Sequence, residues 1–347
     1  MKYFSNKISI RKPDDMHLHL RQGEILKICA PESAKWFERA LIMPNTVPPI
    51  NNKERVISYK KDIEEAILNQ KNIQTGNFTP LMSFKLYPDM REEEIVKLSE
   101  AGAVAGKLYP EGSTTNAEDG VKSWEQIKEA LSAMSKLGIV LSIHGEKPDS
   151  FVLDREKDYL PQLFQIIEHY PDLKIVLEHV SSLEGINAVI NGPDTLGATI
   201  TAHHLSITLD DLIGAGINPH NFCKPVVKTP KDRQAIRNAA LSGSRKFFFG
   251  SDSAPHPESS KLKAGGSAGI FSAPAAIPLL VSFFEKNGSK ELLEDFISRF
   301  GAEFYNLPLN KSSITLERKE SKVPERFSDI IPFMAGSVLE WDISVSG

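Results

Sequence analysis

Nine histidines occur in the 347 residues, and four of them stand where their side chains could share a metal ion. His17 and His19 lie in the run Asp14-Asp15-Met16-His17-Leu18-His19-Leu20-Arg21. In an extended strand, residues i and i+2 point to one side, so the two imidazoles project together. Taken alone, such a pair is equally well two half-buried histidines on a sheet face. His144 closes the apolar run 139–144 and His179 closes the run 174–179, so each stands at the C-terminal end of a strand. Asp252 follows Lys246-Phe247-Phe248-Phe249-Gly250-Ser251. Alone it reads as a helix N-cap; beside four histidines it reads as a further ligand and a carboxylate able to take a proton from metal-bound water. Neutral imidazole is a common ligand for zinc and related divalent ions. Lys107 sits in the apolar run 103–109, where a buried ammonium is costly. Either its head reaches the mouth of the fold, or its neutral amine adds carbon dioxide between two cations and becomes an anionic carbamate bridge.

These residues need a scaffold that gathers strand ends. Apolar runs end near His19, Met43, Phe84, Tyr109, His144, His179, Ala202 and Ser251, which makes eight candidate strands. Helical stretches alternate with them. In residues 123–137, Ile127, Leu131 and Met134 share one face, Ser123 and Gln126 fit a capping box, and Gly138 supplies the stop. Residues 52–69 and 290–300 read similarly. Eight βα units predict a (β/α)8 TIM-type barrel at about residues 8–300, with additional C-terminal helices and a tail over 301–347, all in a single domain. A doubly wound open sheet is the alternative, but no GxGxxG follows the first strand. The eight-stranded barrel also suits the chemistry, because barrel enzymes build their sites at the C-terminal ends of the strands.

Composition excludes other classes. Lys+Arg 41 against Asp+Glu 45 gives a net charge of −4, which offers no basic face for nucleic acid. Hydrophobic content of 41% and charged content of 25% are ordinary for a globular protein with a filled core. Two cysteines, Cys29 and Cys223, cannot build a disulfide framework. The stretch 275–284 is about half a membrane span and is broken by Pro278, so no membrane partner is expected. The first ten residues contain no apolar signal core, which makes the expected location cytoplasmic.

The ordered set of His-x-His on strand 1, Lys on strand 4, His on strands 5 and 6 and Asp on strand 8 resembles the binuclear amidohydrolase superfamily. Residues 13–21 (PDDMHLHLR), 43–49 (MPNTVPP), 106–116 (GKLYPEGSTTN), 143–146 (IHGE), 177–180 (LEHV) and 250–256 (GSDSAPH) narrow the likeness. They resemble the dihydroorotases of the shorter, monofunctional bacterial and fungal type. So do residues 78–87, 222–228, 265–274 and 304–308. The resemblance implies one zinc held by His17, His19, Asp252 and a carboxylated Lys107. It implies a second held by the same carbamate with His144 and His179, and a hydroxide bridging the pair. It implies the reversible interconversion of N-carbamoyl-L-aspartate and L-dihydroorotate, with Asp252 as general acid/base and a homodimeric assembly. Arg21, Asn45 and His256, with backbone groups at Lys224 and Ala268, are then the contacts to the substrate carboxylate. Thr114 and Thr115 lie on a loop that closes over substrate.

Two other readings carry the same scaffold. A hydantoinase- or allantoinase-like enzyme would keep the metal ligands and differ at Arg21, Asn45, His256 and the Thr114-Thr115 loop. A non-catalytic partner of aspartate transcarbamoylase would have lost ligands, whereas the set here is complete. Asp14 and Asp15 are candidates for orienting the histidines. His169, His203, His204 and His220 fall outside the ligand set that the resemblance implies, and Cys223 reads as a packed thiol bordering the Lys224 segment.

Overall fold

The alternation of inward and outward side chains along short strands decides the architecture. The computed structural model describes residues 5–69, 77–114 and 117–344. After an outlying strand β1 (Lys7–Arg11) come β2 (Asp14–Leu18), β3 (Arg39–Ile42), β4 (Thr79–Lys85), β5 (Ala103–Leu108), β6 (Val140–Ile143), β7 (Ile175–Leu177), β8 (Leu196–Ile200) and β9 (Phe247–Phe249). These eight pair in parallel in that order. The seam between β9 and β2 is joined where the Asp252 N–H donates to the His17 carbonyl at 2.9 Å and the His19 N–H to the Ser253 carbonyl at 3.0 Å. Each expected strand end falls within two residues of the observed one.

The barrel interior is layered. Met16, Leu41, Leu81, Ala105, Val140, Val176 and Phe248 form an apolar layer, against which Phe300, Phe304 and Tyr305 pack. Lys107, Ser142 and Glu178 each lie two residues further along their strands, so the same parity turns them inward and builds a polar layer above the apolar one. In β2 the register against β3 shifts between Asp15 and Leu18. That irregularity lets both Met16 and His17 face inward, a device that re-aims side chains beside active sites.

The expected helices form with small differences. Lys53–Leu68 is capped by Asn52, whose side chain accepts from the Arg55 N–H at 2.9 Å. Lys128–Leu137 ends at Gly138 with φ of 70°, a left-handed stop that favours glycine. Residues 290–300 break into a 3₁₀ turn, Lys290–Leu292, and a π turn, Asp295–Arg299. The C-terminal region departs further from expectation. After the helix Phe300–Phe304 the chain forms β10 (Ser313–Lys322) and β11 (Val338–Ile343), which join β1 in a three-stranded antiparallel sheet. Ile314 and Leu316 are buried at alternate positions of β10, a period of two that suits a strand and not a helix. Among the described residues, no helix is long and apolar enough to cross a membrane.

Asp14 belongs to this framework and touches no imidazole. Its carboxylate accepts from Arg39 Nε at 2.9 Å and Nη2 at 2.5 Å, and from Asn310 Nδ2 at 2.7 Å. Asp14 and Arg39 are both buried, at the N-terminal ends of adjacent strands. Asp14→Ala leaves the guanidinium buried without its acid, so we expect a loss of about 3–5 kcal/mol in denaturant unfolding. Bound metal per folded chain should be unchanged; wild-type stability would show that this pair does not hold the base of the barrel.

Candidate metal centre and substrate cleft

The four strand-end histidines meet at one mouth. His17 Nε2 lies 3.3 Å from His19 Nε2. Asp252 Oδ1 stands 3.5 Å from the first and 3.2 Å from the second. Across the mouth, His144 Nδ1 is 3.2 Å from His179 Nε2. Donors bonded to one ion at about 2.0–2.2 Å stand roughly 3–3.6 Å apart, so both groupings have the spacing of a coordination shell.

The other ring nitrogens fix which atoms are protonated. His17 Nδ1 donates to Glu178 Oε2 at 2.8 Å, and His144 Nε2 donates to Glu146 Oε2 at 2.9 Å. His19 Nδ1 donates to Asn45 Oδ1 at 2.7 Å. These contacts place a proton on the outer nitrogen of each ring, so the lone pair of the uncharged form points into the cluster. Burial lowers the proton affinity of His17, His19 and His179, and Lys107 reinforces this for all three. The Nε2 lone pairs of His17 and His19, held 3.3 Å apart with no proton between them, repel, and a cation is what relieves them.

Glu178 was not singled out by its sequence. It is fully buried, and it also accepts from Thr199 Oγ1 at 2.5 Å and from the Ser142 hydroxyl. Burial alone would raise its pKa, yet the neighbouring His17, which donates to it, together with Lys107 and the Ser142 hydroxyl holds it below the ordinary value. Its parity with Val176 was the readable signal, because it turns the side chain into the barrel. Glu146, two residues past His144, carried only its nearness to a histidine. Asp15, the other candidate for orienting the rings, accepts instead from the backbone N–H groups of Ser251 at 2.7 Å and His17 at 3.1 Å. It closes the barrel seam, and burial pushes its pKa up to about 7.

Lys107 is fully buried beneath the histidines, and its Nζ has no hydrogen-bond partner. Burial pulls its pKa down to about 8, against the opposing pull of Glu178 and Asp252. Asp252 is raised by burial, with His17 and Lys107 acting the other way. A carboxylate so tuned binds a proton more readily than an exposed one. Backbone strain gathers at the same place: Arg21, His179 and Asp252 have φ of 61°, 39° and 43°. Left-handed geometry at such residues costs of order 1–3 kcal/mol each and is typical of functional positions.

A cleft opens above the cluster. Arg21, Asn45, Thr114, Lys224 and Ala268 line it together with His17, His19, His144, His179 and Asp252. His256 stands at its edge, with Nε2 2.9 Å from Arg21 Nη2 and 3.0 Å from the Ala268 carbonyl. Burial, then Arg21, pulls the His256 pKa to about 3, so the ring is neutral. One nitrogen cannot both accept from Arg21 and donate to Ala268, so a contact is left unsatisfied unless another acceptor takes up Arg21. The Arg21 Nε also donates to the Pro255 carbonyl at 3.1 Å. Thr115 lies outside the described residues. Of the remaining histidines, His169 stacks on Trp124 with ring centroids 4.5 Å apart, far from this chemistry.

Comparison with known proteins agrees with the geometry. The amidohydrolase family matches residues 14–319. A dihydroorotase of Psychromonas ingrahamii is 42% identical over 343 residues, covering 96% of this chain and 98% of that protein. The crystal structure of a dihydroorotase from Campylobacter jejuni has a TM-score of 0.90 at 41% identity, covering 99% of each chain. That of a dihydroorotase from Saccharomyces cerevisiae, in complex with 5-fluoroorotic acid, has a TM-score of 0.90 at 37% identity, covering 97% of this chain and 98% of that one. From the first barrel strand to the C-terminal sheet, then, this chain belongs to the amidohydrolase family and groups within it with the dihydroorotases.

Proposed function

We propose that the chain catalyses the reversible closure of N-carbamoyl-L-aspartate to L-dihydroorotate and water at a two-zinc centre, as part of pyrimidine synthesis. The observation that carries this reading is that His17, His19, His144, His179 and Asp252 open on the same cleft as Arg21, in a chain similar to dihydroorotases over nearly its whole length. One ion would be held by His17 Nε2, His19 Nε2 and Asp252 Oδ1, the other by His144 Nδ1 and His179 Nε2. Lys107 would reach both as a carbamate: its neutral amine adds carbon dioxide, forms an N–C bond and releases one proton. Its burial and lowered pKa favour the amine that this addition requires. Bound there, the cations supply Lewis acidity toward the amide carbonyl and lower the pKa of the attacking water.

The chain's own residues do the rest. In ring opening Asp252 takes the proton released by the attacking water and gives it to the ring nitrogen as the C–N bond breaks; in synthesis it works in reverse. Arg21 meets the substrate carboxylate with its planar fork, which a lysine cannot reproduce. With Arg21 so engaged, His256 Nε2 is free to settle its competing contacts. Asn45, the backbone at Lys224 and Ala268, and the hydroxyls of Thr114 and Thr115 complete the orientation and exclude water. The homodimer and the cytoplasmic setting expected from the resemblance belong to the same reading.

The zinc-loaded protein is expected to open L-dihydroorotate rapidly, followed by ultraviolet absorbance, and to leave hydantoin and allantoin untouched. Turnover of another cyclic amide instead would discard the substrate assignment while keeping the metal centre. Asp252→Asn should fold but lose turnover in both directions by about 10²–10⁴-fold, the range of a lost general acid/base; near-normal rates would take the proton away from Asp252. Glu178→Gln removes the charge that holds the His17 tautomer, so metal affinity should fall about 10–100-fold in a chelator competition. An unchanged affinity would mean that Glu178 does not orient the ligand.

A further inference from the structure

A second buried cluster stands at the same end of the barrel and takes no part in the centre described above. β8 ends at Ile200, and Thr201 caps the short helix Ala202–Ser206 by accepting from the His204 N–H at 3.0 Å. His203 is completely buried, and neither of its ring nitrogens has a hydrogen-bond partner. Its ring lies 4.7 Å from that of His204. Cys223 arrives from the segment that lines the substrate cleft, with its thiol donating to the Pro225 carbonyl at 3.2 Å. His204 Nε2 lies 3.2 Å from that same carbonyl. Donor atoms of His203, His204 and Cys223 all fall within 4.8 Å of one another, and all three residues are buried.

We propose that His203, His204 and Cys223 form a third metal site, for a soft divalent cation of the zinc or cobalt class. An imidazole with both nitrogens sealed from water and unbonded is costly, and a metal bond satisfies one of them. The thiolate and imidazole donors select zinc-like ions over magnesium or calcium. Zinc bonds of about 2.0–2.3 Å place donors roughly 3.3–3.8 Å apart, so shifts of about 1 Å would close the shell.

The protons balance. Cys223 loses its thiol proton to solvent as the sulfur–metal bond forms. His204 holds its single proton on Nε2 against the Pro225 carbonyl; on metal binding that proton moves to Nδ1, where Thr201 Oγ1 at 2.8 Å accepts it, and the Nε2 lone pair is left for the ion. The Pro225 carbonyl, released by both donors, is at hand as a fourth ligand. Cys223 and Pro225 flank Lys224, which lines the cleft, so occupancy of this site would clamp a wall of the substrate cleft.

The test uses full-length protein carrying zinc in its main centre and titrated with cobalt(II). A further equivalent should bind with a near-ultraviolet thiolate-to-cobalt charge-transfer band. The main centre offers only nitrogen and oxygen donors and cannot produce that band. The band should vanish in Cys223→Ser and persist in Cys29→Ser, since these are the only two cysteines. His203→Gln, which keeps the thiol, should bind the extra cobalt roughly tenfold or more weakly. No band in the wild type at saturating cobalt, or a band surviving in Cys223→Ser, would overturn the proposal. Should Cys223→Ser fail to fold, wild-type cobalt affinity in His203→Gln overturns it equally.

Discussion

Imidazole lone pairs forced to face one another across about 3 Å are the constraint from which the site is built. Such an arrangement is unstable by itself, and its persistence needs two things from the protein. The protons must be held on the far side of the rings, and the rings must not be able to turn away. Glu178, Glu146 and Asn45 meet the first need for His17, His144 and His19. The barrel meets the second, since the rings stand at the ends of β2, β6 and β7, each paired with its neighbours in the closed sheet.

The layering of the interior explains how a hydrophobic core and a charged site coexist a few ångströms apart. An apolar floor of Met16, Val140, Val176 and Phe248 excludes water from below. Immediately above it, Lys107, Ser142, Glu178 and Thr199 form a polar layer in which Glu178 accepts from Ser142 and Thr199. Glu178 joins three strands there, accepting from side chains on β2, β6 and β8. The strained residues Arg21, His179 and Asp252 stand at strand ends, where the ladder stops and left-handed φ can be accommodated. Their backbones are pinned on either side: the Asp252 N–H bonds across the seam to His17, and the His179 N–H donates to Thr199 Oγ1 at 2.6 Å. Strain and fixation therefore occur in the same residues, as preorganisation requires.

Much of this was legible in the sequence because it follows from local pattern. Several strand ends appeared as apolar runs stopping at a histidine or an acid, and the candidate ligands sat on those ends. What escaped detection depends on partners distant in the chain. Glu178 orients a histidine 161 residues away, and nothing in its own neighbourhood names that partner. Asp14 stands three residues from His17 and looked like its helper, but it faces Arg39 at the opposite end of the barrel. The bulge in β2 is the reason: it lets His17 follow Met16 inward, so simple counting from Asp14 misleads. Likewise, the C-terminal strands were missed because an edge sheet buries only alternate residues of one strand and offers a weak periodic signal.

The electrostatics bind these observations into one requirement. The mouth holds buried carboxylates at Asp252, Glu178 and Glu146, opposed by Lys107 at Asp252 and Glu178, by Arg21 at Asp252 and by Lys228 at Glu146. Two divalent cations would bring four positive charges into a volume already containing those bases, and a protonated Lys107 would add a fifth beside them. The carbamate proposed above would change Lys107 from cation to anion, a swing of two charges beside both ions. Together with Asp252, Glu178 and Glu146 it would supply four buried negative charges against the four that would enter. A lysine sealed beneath the ligands with no hydrogen-bond partner is poorly placed as a permanent ammonium and well placed for that conversion. In the proposed centre the charge of this lysine would change sign as the metals bind, and an arginine, which cannot be deprotonated in a protein, would not serve in its place.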